Sequence, residues 1–455
     1  MLLLQYLRLL GIGGIGIIRM SGRDCFEVLN KIFVPKKPEK IENIKGYSIK
    51  YGFIVDNKES IDEVLVSYFK APKSYTTENM CEINSHGGNV VVRKILDLCL
   101  KNGANLAEPG EFTKRAFLNG RIDLLQAESV IDVINSKSER EVKTSVKQLE
   151  GGLSKKIKEI KQEILDVIVN MDVSIDYPEY DVDEVANNQV LTMLDSIQSK
   201  LEVLEKSFDN GKIIKEGIKT AIIGKPNAGK SSLLNSILKE DRAIVTEYEG
   251  TTRDTIEEFV SIEGISLKLI DTAGIREAED EVEKIGIAKS REIANSADLV
   301  IAIFDSSKVL TDEDYKILDI IKGKKSIILL NKADLGCVLN NNDSVFIAVT
   351  NNIVNISALT GEGLEDLYSI IVKMFNLDEI NFDNDIIITN LRHKNLISNA
   401  LDNVKKARDT VNNNMPIDII AIFINDILED LANITGEFVT DDIIDEIFSK
   451  FCLGK

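Results

Sequence analysis

The sequence predicts a multidomain fold that combines α/β and all-α parts. Short β-branched runs alternate with helical stretches over residues 213–377, which is typical of a parallel-rich sheet covered by helices. Apolar residues recur at helical spacing on both sides of this region, over residues 119–212 and 378–455. We therefore expect the α/β domain to be inserted into a discontinuous helical domain. Insertion is tolerated where the two ends of the inserted unit lie close together.

Residues 1–118 make up the first predicted domain, which has mixed α+β character. Strand-like runs separated by turn residues lie at Gly16–Met20, Tyr47–Val55, Glu63–Phe69 and Met80–Ile83. Val90–Cys99 has helical periodicity. The apolar start, Met1–Leu10, lacks the basic segment and the cleavage pattern of a signal peptide, so a buried strand is expected there.

Composition and charge exclude several classes of protein. The chain has 455 residues, of which 44% are apolar and 28% are charged, so we do not expect a disordered protein. Its formal net charge is −19, so we do not expect a basic protein that coats nucleic acid without specificity. The five cysteines form no C-x-x-C pair, which argues against a disulfide framework or a Cys/His zinc site and fits a reducing cytoplasm. No uncharged apolar run reaches about 18 residues, so we expect no membrane span.

Gly224–Ser231 is a complete G-x-x-x-x-G-K-S phosphate loop between an apolar strand and a helix. Backbone N–H groups of such a loop converge on phosphate oxygens, and the helix N-terminus adds a positive dipole. Lys230 is expected to reach the β- and γ-phosphates, and the Ser231 hydroxyl to ligate Mg²⁺. The candidate nucleotide-binding residues of this loop are Asn227, Ala228, Gly229, Lys230, Ser231 and Ser232.

Three further motifs follow apolar strands: Asp271-Thr272-Ala273-Gly274, Asn331-Lys332-Ala333-Asp334 and Ser357-Ala358-Leu359. The Asp271 carboxylate can hold Mg²⁺ through water, and the Gly274 N–H can sense the γ-phosphate. The Asp334 carboxylate can accept both N–H donors on the Watson–Crick edge of guanine. Adenine lacks that donor pair, so the site would reject ATP by leaving polar groups unpaired. The four ordered motifs together predict GTP binding.

The segment between the phosphate loop and Asp271 contains a candidate switch loop, Thr251–Asp254, in which Thr252 would give its hydroxyl to Mg²⁺. GTPases of the Ras type carry Gln directly after D-T-A-G. This chain has Ile275 there, which cannot orient the attacking water, so hydrolysis must recruit another group. Glu283 is a candidate, although the acidic segment Glu277–Glu283 also fits a plain exposed charge run.

Gly11–Gly16 matches the dinucleotide pattern G-x-G-x-x-G literally. That fingerprint must open a helix after its strand. The residues that follow, Ile17–Gly22, form an apolar strand-like run ending in a turn. We therefore expect a glycine-rich loop before a strand, and no dinucleotide site.

These motifs together resemble the MnmE (TrmE) family of tRNA-modification GTPases, over nearly the whole chain. The segments that carry the resemblance are Gly11–Gly22, Ser85–Gly88, Pro109–Gly120, Gly224–Ser231, Gly250–Asp254, Asp271–Gly274 and Cys452–Lys455. Met1–Leu10 departs from the first strand usual in the family.

The resemblance implies a folate-binding, dimerising N-terminal domain, a split helical domain and an inserted Ras-like P-loop G domain. It implies a cytoplasmic homodimer that works with the flavoprotein MnmG. Such a complex installs an aminomethyl-type group (carboxymethylaminomethyl or aminomethyl) on carbon 5 of the wobble uridine of certain tRNAs. The carbon would come from a tetrahydrofolate derivative, 5-formyl- or methylene-tetrahydrofolate. Potassium-dependent pairing of two G domains would activate GTP hydrolysis.

The same resemblance assigns roles to single residues. It implies K⁺ ligands at Asn227, Thr246, Tyr248 and Thr251, and Mg²⁺ ligands at Ser231 and Thr252. It makes Glu283 the acid that positions the attacking water, beside the catalytic Lys230. It implies folate contacts at Arg19, Glu82, Arg121 and Lys455, and it leaves the role of the tail residue Cys452 open.

Two other classes of protein stay open on the residues alone. A ribosome-assembly or signalling switch GTPase would share the G domain but usually appends an RNA-binding module, and no G-x-x-G clamp in a basic segment is evident. A folate-dependent one-carbon enzyme with a regulatory GTPase overlaps with the tRNA hypothesis. Because the chain is acidic, we expect a partner to supply most of the tRNA-binding charge, beyond one basic run at Lys155, Lys156, Lys158 and Lys161.

Overall fold

The computed structural model describes residues 3–7, 13–38, 46–176, 183–239, 258–262, 264–270, 283–375 and 386–451. The chain forms two compact units, each built from separate stretches. The first unit comprises Met1–Ile134, Gln148–Lys161 and Leu428–Lys455, and the second comprises Asn135–Lys147 and Gln162–Ile427. The domain boundaries expected near residues 118, 212 and 377 stay a prediction.

Thirteen strands and fifteen α-helices lie within the described residues. The strands are β1 Leu3–Leu7, β2 Ile15–Ser21, β3 Phe33–Pro35, β4 Ser48–Asp56, β5 Glu59–Phe69, β6 Met80–His86, β7 Asn105–Leu106, β8 Ile218–Gly224, β9 Glu258–Ile262, β10 Ile265–Leu269, β11 Leu299–Asp305, β12 Ser326–Asn331 and β13 Ile353–Asn355. The helices are α1 Cys25–Ile32, α2 Asn89–Lys101, α3 Glu111–Leu118, α4 Leu124–Asn135, α5 Glu139–Leu149, α6 Gly152–Asp176, α7 Asp183–Glu216, α8 Lys230–Lys239, α9 Glu283–Ser296, α10 Asp312–Ile321, α11 Ser344–Ile347, α12 Leu364–Met374, α13 Leu391–Asn412, α14 Ile417–Thr435 and α15 Asp441–Ser449. The four strand-like runs and the helix expected within residues 1–118 are confirmed, as β2, β4, β5, β6 and α2.

The first unit contains a seven-stranded sheet of order β3-β4-β5-β6-β2-β1-β7. Neighbouring strands are antiparallel, except that β1 and β7 run parallel. Alternate side chains such as Ile18, Val66 and Ile83 are buried in one core with α1 and α2. The opposite face of the sheet leaves the cross-strand pair Tyr51 and Leu65 exposed. This sheet places β2 beside β6, the two strands that carry Arg19 and Glu82.

Helices α3, α4 and α15 share an apolar cluster in the same unit, which includes Ala116, Leu124 and Phe448. Gly110, directly before α3, has a left-handed φ of 70°. A Cβ at this position would lie 2.9 Å from both the Phe448 carbonyl oxygen and the Phe451 Cβ. The last described residues of the chain therefore pack closely against the start of α3.

The second unit contains a six-stranded sheet of order β13-β12-β11-β8-β10-β9. All neighbours are parallel except β9, which is antiparallel to β10 at one edge. Strands β11 and β12 are buried almost throughout, as expected of parallel strands covered on both faces. Carboxyl ends of parallel strands meet at one edge, so the residues after β8, β11, β12 and β13 are brought together.

Long helices complete the second unit. Helix α7 packs against α13, where the Ser398 hydroxyl donates to Glu205 and Arg408 pairs with Asp195. None of the described helices is long and apolar enough to cross a membrane.

The basic run of α6, which belongs to the first unit, is largely neutralised. Its three ion pairs are Lys156 with Glu159, Lys158 with Asp123 and Lys161 with Glu437. We infer that this run stabilises the helical packing more than it forms a free basic surface.

Candidate functional site

The phosphate loop joins the end of β8 to the start of α8. Asn227 adopts a left-handed φ of 61°, a conformation that Asn tolerates better than most residues, and its side chain is exposed. The Lys230 ammonium folds back over the loop and donates to the carbonyl oxygens of Gly224 at 2.7 Å and Lys225 at 2.9 Å. Burial lowers the pKa of Lys230. The loop therefore holds this cation where phosphates would bind.

Asn331 connects the phosphate loop to the Ser357–Leu359 motif. Its Nδ2 donates to the Ala228 carbonyl oxygen at 2.8 Å, and its Oδ1 accepts from the Ala358 backbone N–H at 2.9 Å. A Cβ on Gly229 would lie 2.0 Å from Asn331 Nδ2, so only glycine fits at this position. One buried amide thus fixes two of the predicted motifs relative to each other.

The predicted guanine-recognition residues are also held in place by neighbours. The Ser357 hydroxyl donates to Asp334 Oδ1 at 2.7 Å, and the Lys332 ammonium donates to Asp305 Oδ2 at 2.7 Å. Partial burial alone would raise the pKa of Asp305, but hydrogen bonds from Lys332 and Ser307 outweigh it and lower the pKa to about 2. Asp305 is therefore a permanent anion that anchors Lys332.

A cavity of about 290 Å³ lies beside the phosphate loop, lined in part by Asn227 and Asp305. Within its wall, the Lys225 ammonium contacts Asp314 at 2.6 Å and Thr311 at 2.9 Å. Asp314 is buried, so this ion pair fixes Lys225, the residue after Gly224 in the phosphate loop, to α10. The Lys225 ammonium is thereby paired with a carboxylate of α10.

The structure brings together three of the four predicted GTP motifs through these contacts. Ser231 and Ser232 are exposed at the start of α8, and Leu359 is 84% exposed. Glu283 is the first residue of α9, and its side chain lies outside the described part. The other predicted residues outside the described part are Thr246, Tyr248, Thr251, Thr252, Asp271, Thr272, Ala273, Gly274, Cys452 and Lys455.

A second polar site lies in the first unit, around Tyr75. Arg19 and Glu82 are register partners on β2 and β6, and the Arg19 Nε donates to Glu82 Oε1 at 2.8 Å. The Arg19 guanidinium carbon lies 5.4 Å from the centre of the Tyr75 ring, and that of Arg121 lies 4.5 Å from the same centre. Two of the four residues predicted to contact folate, Arg19 and Arg121, therefore lie against one aromatic ring, and a third, Glu82, bonds to Arg19.

The loop that carries Tyr75 is held by several hydrogen bonds. The Tyr75 hydroxyl is 2.9 Å from the Thr113 hydroxyl on α3. The Asn119 amide donates to the Thr76 carbonyl oxygen at 2.7 Å, and Arg115 makes two hydrogen bonds to Glu78 at 3.0 and 3.1 Å. The ring therefore belongs to a loop whose conformation is fixed by hydrogen bonds.

Two residues of these sites were not singled out by sequence reasoning. Asp305 ends strand β11, in register with Asn331, so a rule that flags polar residues after buried parallel strands would have found it. Tyr75 had no comparable signal, because its partners lie on β2, on α3 and just beyond α3.

A parallel sheet with a phosphate loop at its carboxyl edge, tied by Asn331 to a guanine-type motif, defines a P-loop GTPase. The comparisons with known proteins identify which one. The chain belongs to the MnmE family of tRNA modification GTPases. The family model for the MnmE helical domain matches residues 124–452, and the model for the GTP-binding protein TrmE N-terminus matches residues 9–121.

Curated relatives support the same family over nearly the full length. The tRNA modification GTPase MnmE of Acetivibrio thermocellus is 48% identical over 447 residues, covering 98% of this chain and 97% of the relative. The MnmE proteins of Finegoldia magna and Clostridioides difficile are 48% and 46% identical, with the same coverage of both chains. The match at both ends favours a tRNA modification GTPase over a switch GTPase with a different appended module.

Proposed function

We propose that this GTPase works with the flavoprotein MnmG to add an aminomethyl-type group to carbon 5 of the wobble uridine of certain tRNAs. The added group is carboxymethylaminomethyl or aminomethyl, and a tetrahydrofolate derivative supplies the carbon. The observation that carries this proposal is the presence, in one chain of this family, of a GTP site and of the arginine site around Tyr75. Its place of action would be the cytoplasm.

In the proposed hydrolysis step, a water oxygen attacks the γ-phosphorus of GTP, and the bond to the bridging oxygen breaks to leave GDP and phosphate. Lys230, already oriented over the loop, stabilises the charge on the β- and γ-oxygens. Glu283 positions the attacking water. Asp334, with Thr272 and Ala273 of the D-T-A-G motif and the Ser357–Leu359 segment, would complete nucleotide binding.

The residues present fit the metal ions that the family implies. Ser231 is exposed at the start of α8, and its hydroxyl is a hard oxygen donor of the kind that suits Mg²⁺, with Thr252 as the second proposed ligand. Asn227 presents an exposed amide beside the loop, and with Thr246, Tyr248 and Thr251 it would hold K⁺. When bound, K⁺ supplies positive charge to the phosphates as two G domains pair.

The arginine site fits a folate. Glu82 can accept paired N–H donors of a pterin, while Arg19 and Arg121 offer positive charge for folate carboxylates. Glu82 is only 20% exposed and already engages Arg19, so the site is ordered before a ligand arrives. Lys455 would approach from the chain end, which is supported by the packing of Phe451 against Gly110 near α3.

Homodimerisation through residues 1–118 is part of the proposal. The sheet of the first unit exposes Ile49, Tyr51 and Leu65 on one face, and exposed apolar side chains grouped on a sheet favour association. We propose that MnmG contributes most of the positive charge that binds tRNA, since the net charge of this chain is −19 and three of the four lysines in the basic run of α6 form ion pairs.

The decisive experiment compares total tRNA from cells with and without the gene by nucleoside mass spectrometry. We expect loss of the carbon-5 aminomethyl-type groups from wobble uridines. A catalytically impaired variant, Lys230→Ala, should reproduce the loss, while the wild-type gene restores the modification. An unchanged profile, with no second gene copy, would overturn the tRNA proposal and favour a switch GTPase.

The potassium proposal has its own test. We expect the GTPase rate to be higher in K⁺ than in Na⁺ at equal ionic strength, and Asn227→Ala to remove the difference. Equal rates in both salts would remove K⁺ from the mechanism, whatever the tRNA result.

A further inference from the structure

Two positively charged side chains lie close to the ring of Tyr75. The distances of 5.4 Å to Arg19 and 4.5 Å to Arg121 are both within the range at which a guanidinium is attracted to an aromatic face. Phe112, which is fully buried, supports Arg19 from a further direction at 5.6 Å. Like charges repel, so gathering two guanidinium groups needs a partner that offsets the repulsion, and the electron-rich ring face is such a partner.

The two arginines differ in their other partners. Arg19 is paired with Glu82 and its side chain is 12% exposed. Arg121 is exposed, and among the described residues it has no carboxylate partner. Glu82 therefore neutralises Arg19, and the ring of Tyr75 contacts both this paired cation and Arg121, which has no carboxylate partner among the described residues.

Tyr75 is itself fixed independently of the arginines. Its hydroxyl bonds to Thr113, which is fully buried, and its ring borders the apolar clusters of Phe112 and of Ala116 with Phe448. The ring thus has a defined orientation that it can impose on the two guanidinium groups.

We infer that Tyr75 is a positioning residue that holds Arg19 and Arg121 in the arrangement that binds the folate ligand. This inference rests on the proposed folate function and adds to it the residue that sets the geometry of the site. The ring acts through the arginines, which touch the ligand. The hydroxyl of Tyr75 anchors the ring but is not needed at the ligand.

Calorimetric binding of 5-formyltetrahydrofolate to the full-length protein tests this inference. Wild type is compared with Tyr75→Phe, Tyr75→Leu, Arg121→Met and the double variant Tyr75→Leu/Arg121→Met. Loss of the ring in Tyr75→Leu should weaken binding about 10-fold or more, whereas Tyr75→Phe keeps the ring and should stay within about 3-fold of wild type. Tyr47→Leu, which removes an exposed tyrosine directly before β4, is the matched control and should bind like wild type.

The double variant separates positioning from mere packing. Because the ring also contacts Arg19, the double variant should lose less than the sum of the two single losses, since the part of the Tyr75 effect that acts through Arg121 is already absent in Arg121→Met. Additive losses would overturn the positioning role, as they indicate a general effect on packing. The melting temperature and the GTPase rate of each variant report folding of the two units separately from folate binding.

The outcomes also separate this inference from the proposed function. Failure of the wild type to bind would overturn the folate proposal, and the inference with it. Binding by the wild type and equally strong binding by Tyr75→Leu would overturn the inference alone. If Tyr75→Leu does not fold, a 10-fold loss in Tyr75→Phe would still overturn it, since the hydroxyl and not the ring would then matter.

Discussion

Two lysines of the nucleotide site are each fixed by a partly buried ion pair. Lys332 is held by Asp305, and Lys225 is held by Asp314. Each anion ends or follows β11 and so belongs to the carboxyl edge of the same sheet. Removing one partner of such a pair leaves the other charge without compensation, which makes these carboxylates sensitive points.

Asp305→Asn should weaken GTP and GDP binding, because Lys332 loses the anion that fixes it next to the guanine motif. Hydrogen bonds to charged groups contribute about 1.5–3 kcal/mol, so we expect a loss of roughly 10-fold in affinity. Titration with a fluorescent guanine nucleotide measures it. Asp319→Asn on the exposed side of α10 is the control, and equal affinity of the two variants would contradict this role of Asp305.

The contribution of His86 to the stability of the protein should depend on pH. Its Nδ1 lies 2.7 Å from Asp62 Oδ1, and this hydrogen bond, followed by the attraction of the carboxylate charge, raises the pKa of His86 above 6.5. Because the pKa of the folded state is raised, the pair stabilises the protein fully below pH 6.5, and this contribution is lost as the pH rises through the folded pKa.

Asp62→Asn should therefore lower the pKa of His86, as followed by NMR of the imidazole ring. Glu63→Gln should change it far less, since Glu63 is the weakest of the influences on this group. A His86 pKa that is the same in Asp62→Asn and wild type would refute the assignment.

Helix α3 is the element that connects the arginine site to the chain end. Thr113 on one side of it bonds to Tyr75, Arg115 bonds to Glu78, and Ala116 packs with Phe448 of α15. Its two flanking glycines, Gly110 and Gly120, have similar φ values of 70° and 72°. Only the first is closely surrounded, which makes the pair a natural comparison.

Gly110→Ala should destabilise the first unit more than Gly120→Ala does. Both changes force alanine into a left-handed conformation, which costs of order 1 kcal/mol. The Gly110 change adds a clash with Phe448 and Phe451, whereas a Cβ on Gly120 would meet nothing within 4 Å. Overpacking of this kind typically costs about 1–3 kcal/mol more. Urea unfolding measures the difference, and equal stability of both variants would show that the tail does not pack as described.

The core of the G domain is self-contained at the scale of the whole molecule. The two apolar clusters on either face of the six-stranded sheet draw their buried residues from Ile218 to Phe375, and among the described residues outside this range only Ile213 of α7 packs against them. The cluster around α3, by contrast, combines residues from Ala116 to Val130 with Ile444 to Phe451. The core of the G domain therefore forms from one continuous stretch of sequence, whereas the cluster around α3 needs residues from the far end of the chain.

A fragment of residues 213–377 should fold alone and bind GTP within about 3-fold of the affinity of the full chain, because it contains one complete core. Circular dichroism melting and nucleotide titration check this. A fragment of residues 1–118 is the contrasting case, since it lacks the α15 partners of α3. A G-domain fragment that melts without cooperativity would contradict the independence of its core.

Much of this architecture could be predicted because the evidence for it is local. The phosphate loop, its strand and its helix occupy one continuous stretch, so the motif Gly224–Ser231 predicts the phosphate-binding site directly. The three-residue β3 and two-residue β7 are too short for any periodicity. Tyr75 was missed because Thr113, its anchor, lies 38 residues away, and such pairing is set by tertiary packing rather than by pattern.

The packing of α15 against α3 has a consequence for biosynthesis. Lys114 forms an ion pair with Asp445, and 331 residues separate them in the chain. A ribosome adds about 5–20 residues per second, so roughly 20–60 s pass between the emergence of the two partners. During that interval the nascent G domain has already left the exit tunnel with its own core complete, while α3 still exposes an apolar surface. Until the last residues are translated, this apolar surface has no partner from α15 to cover it.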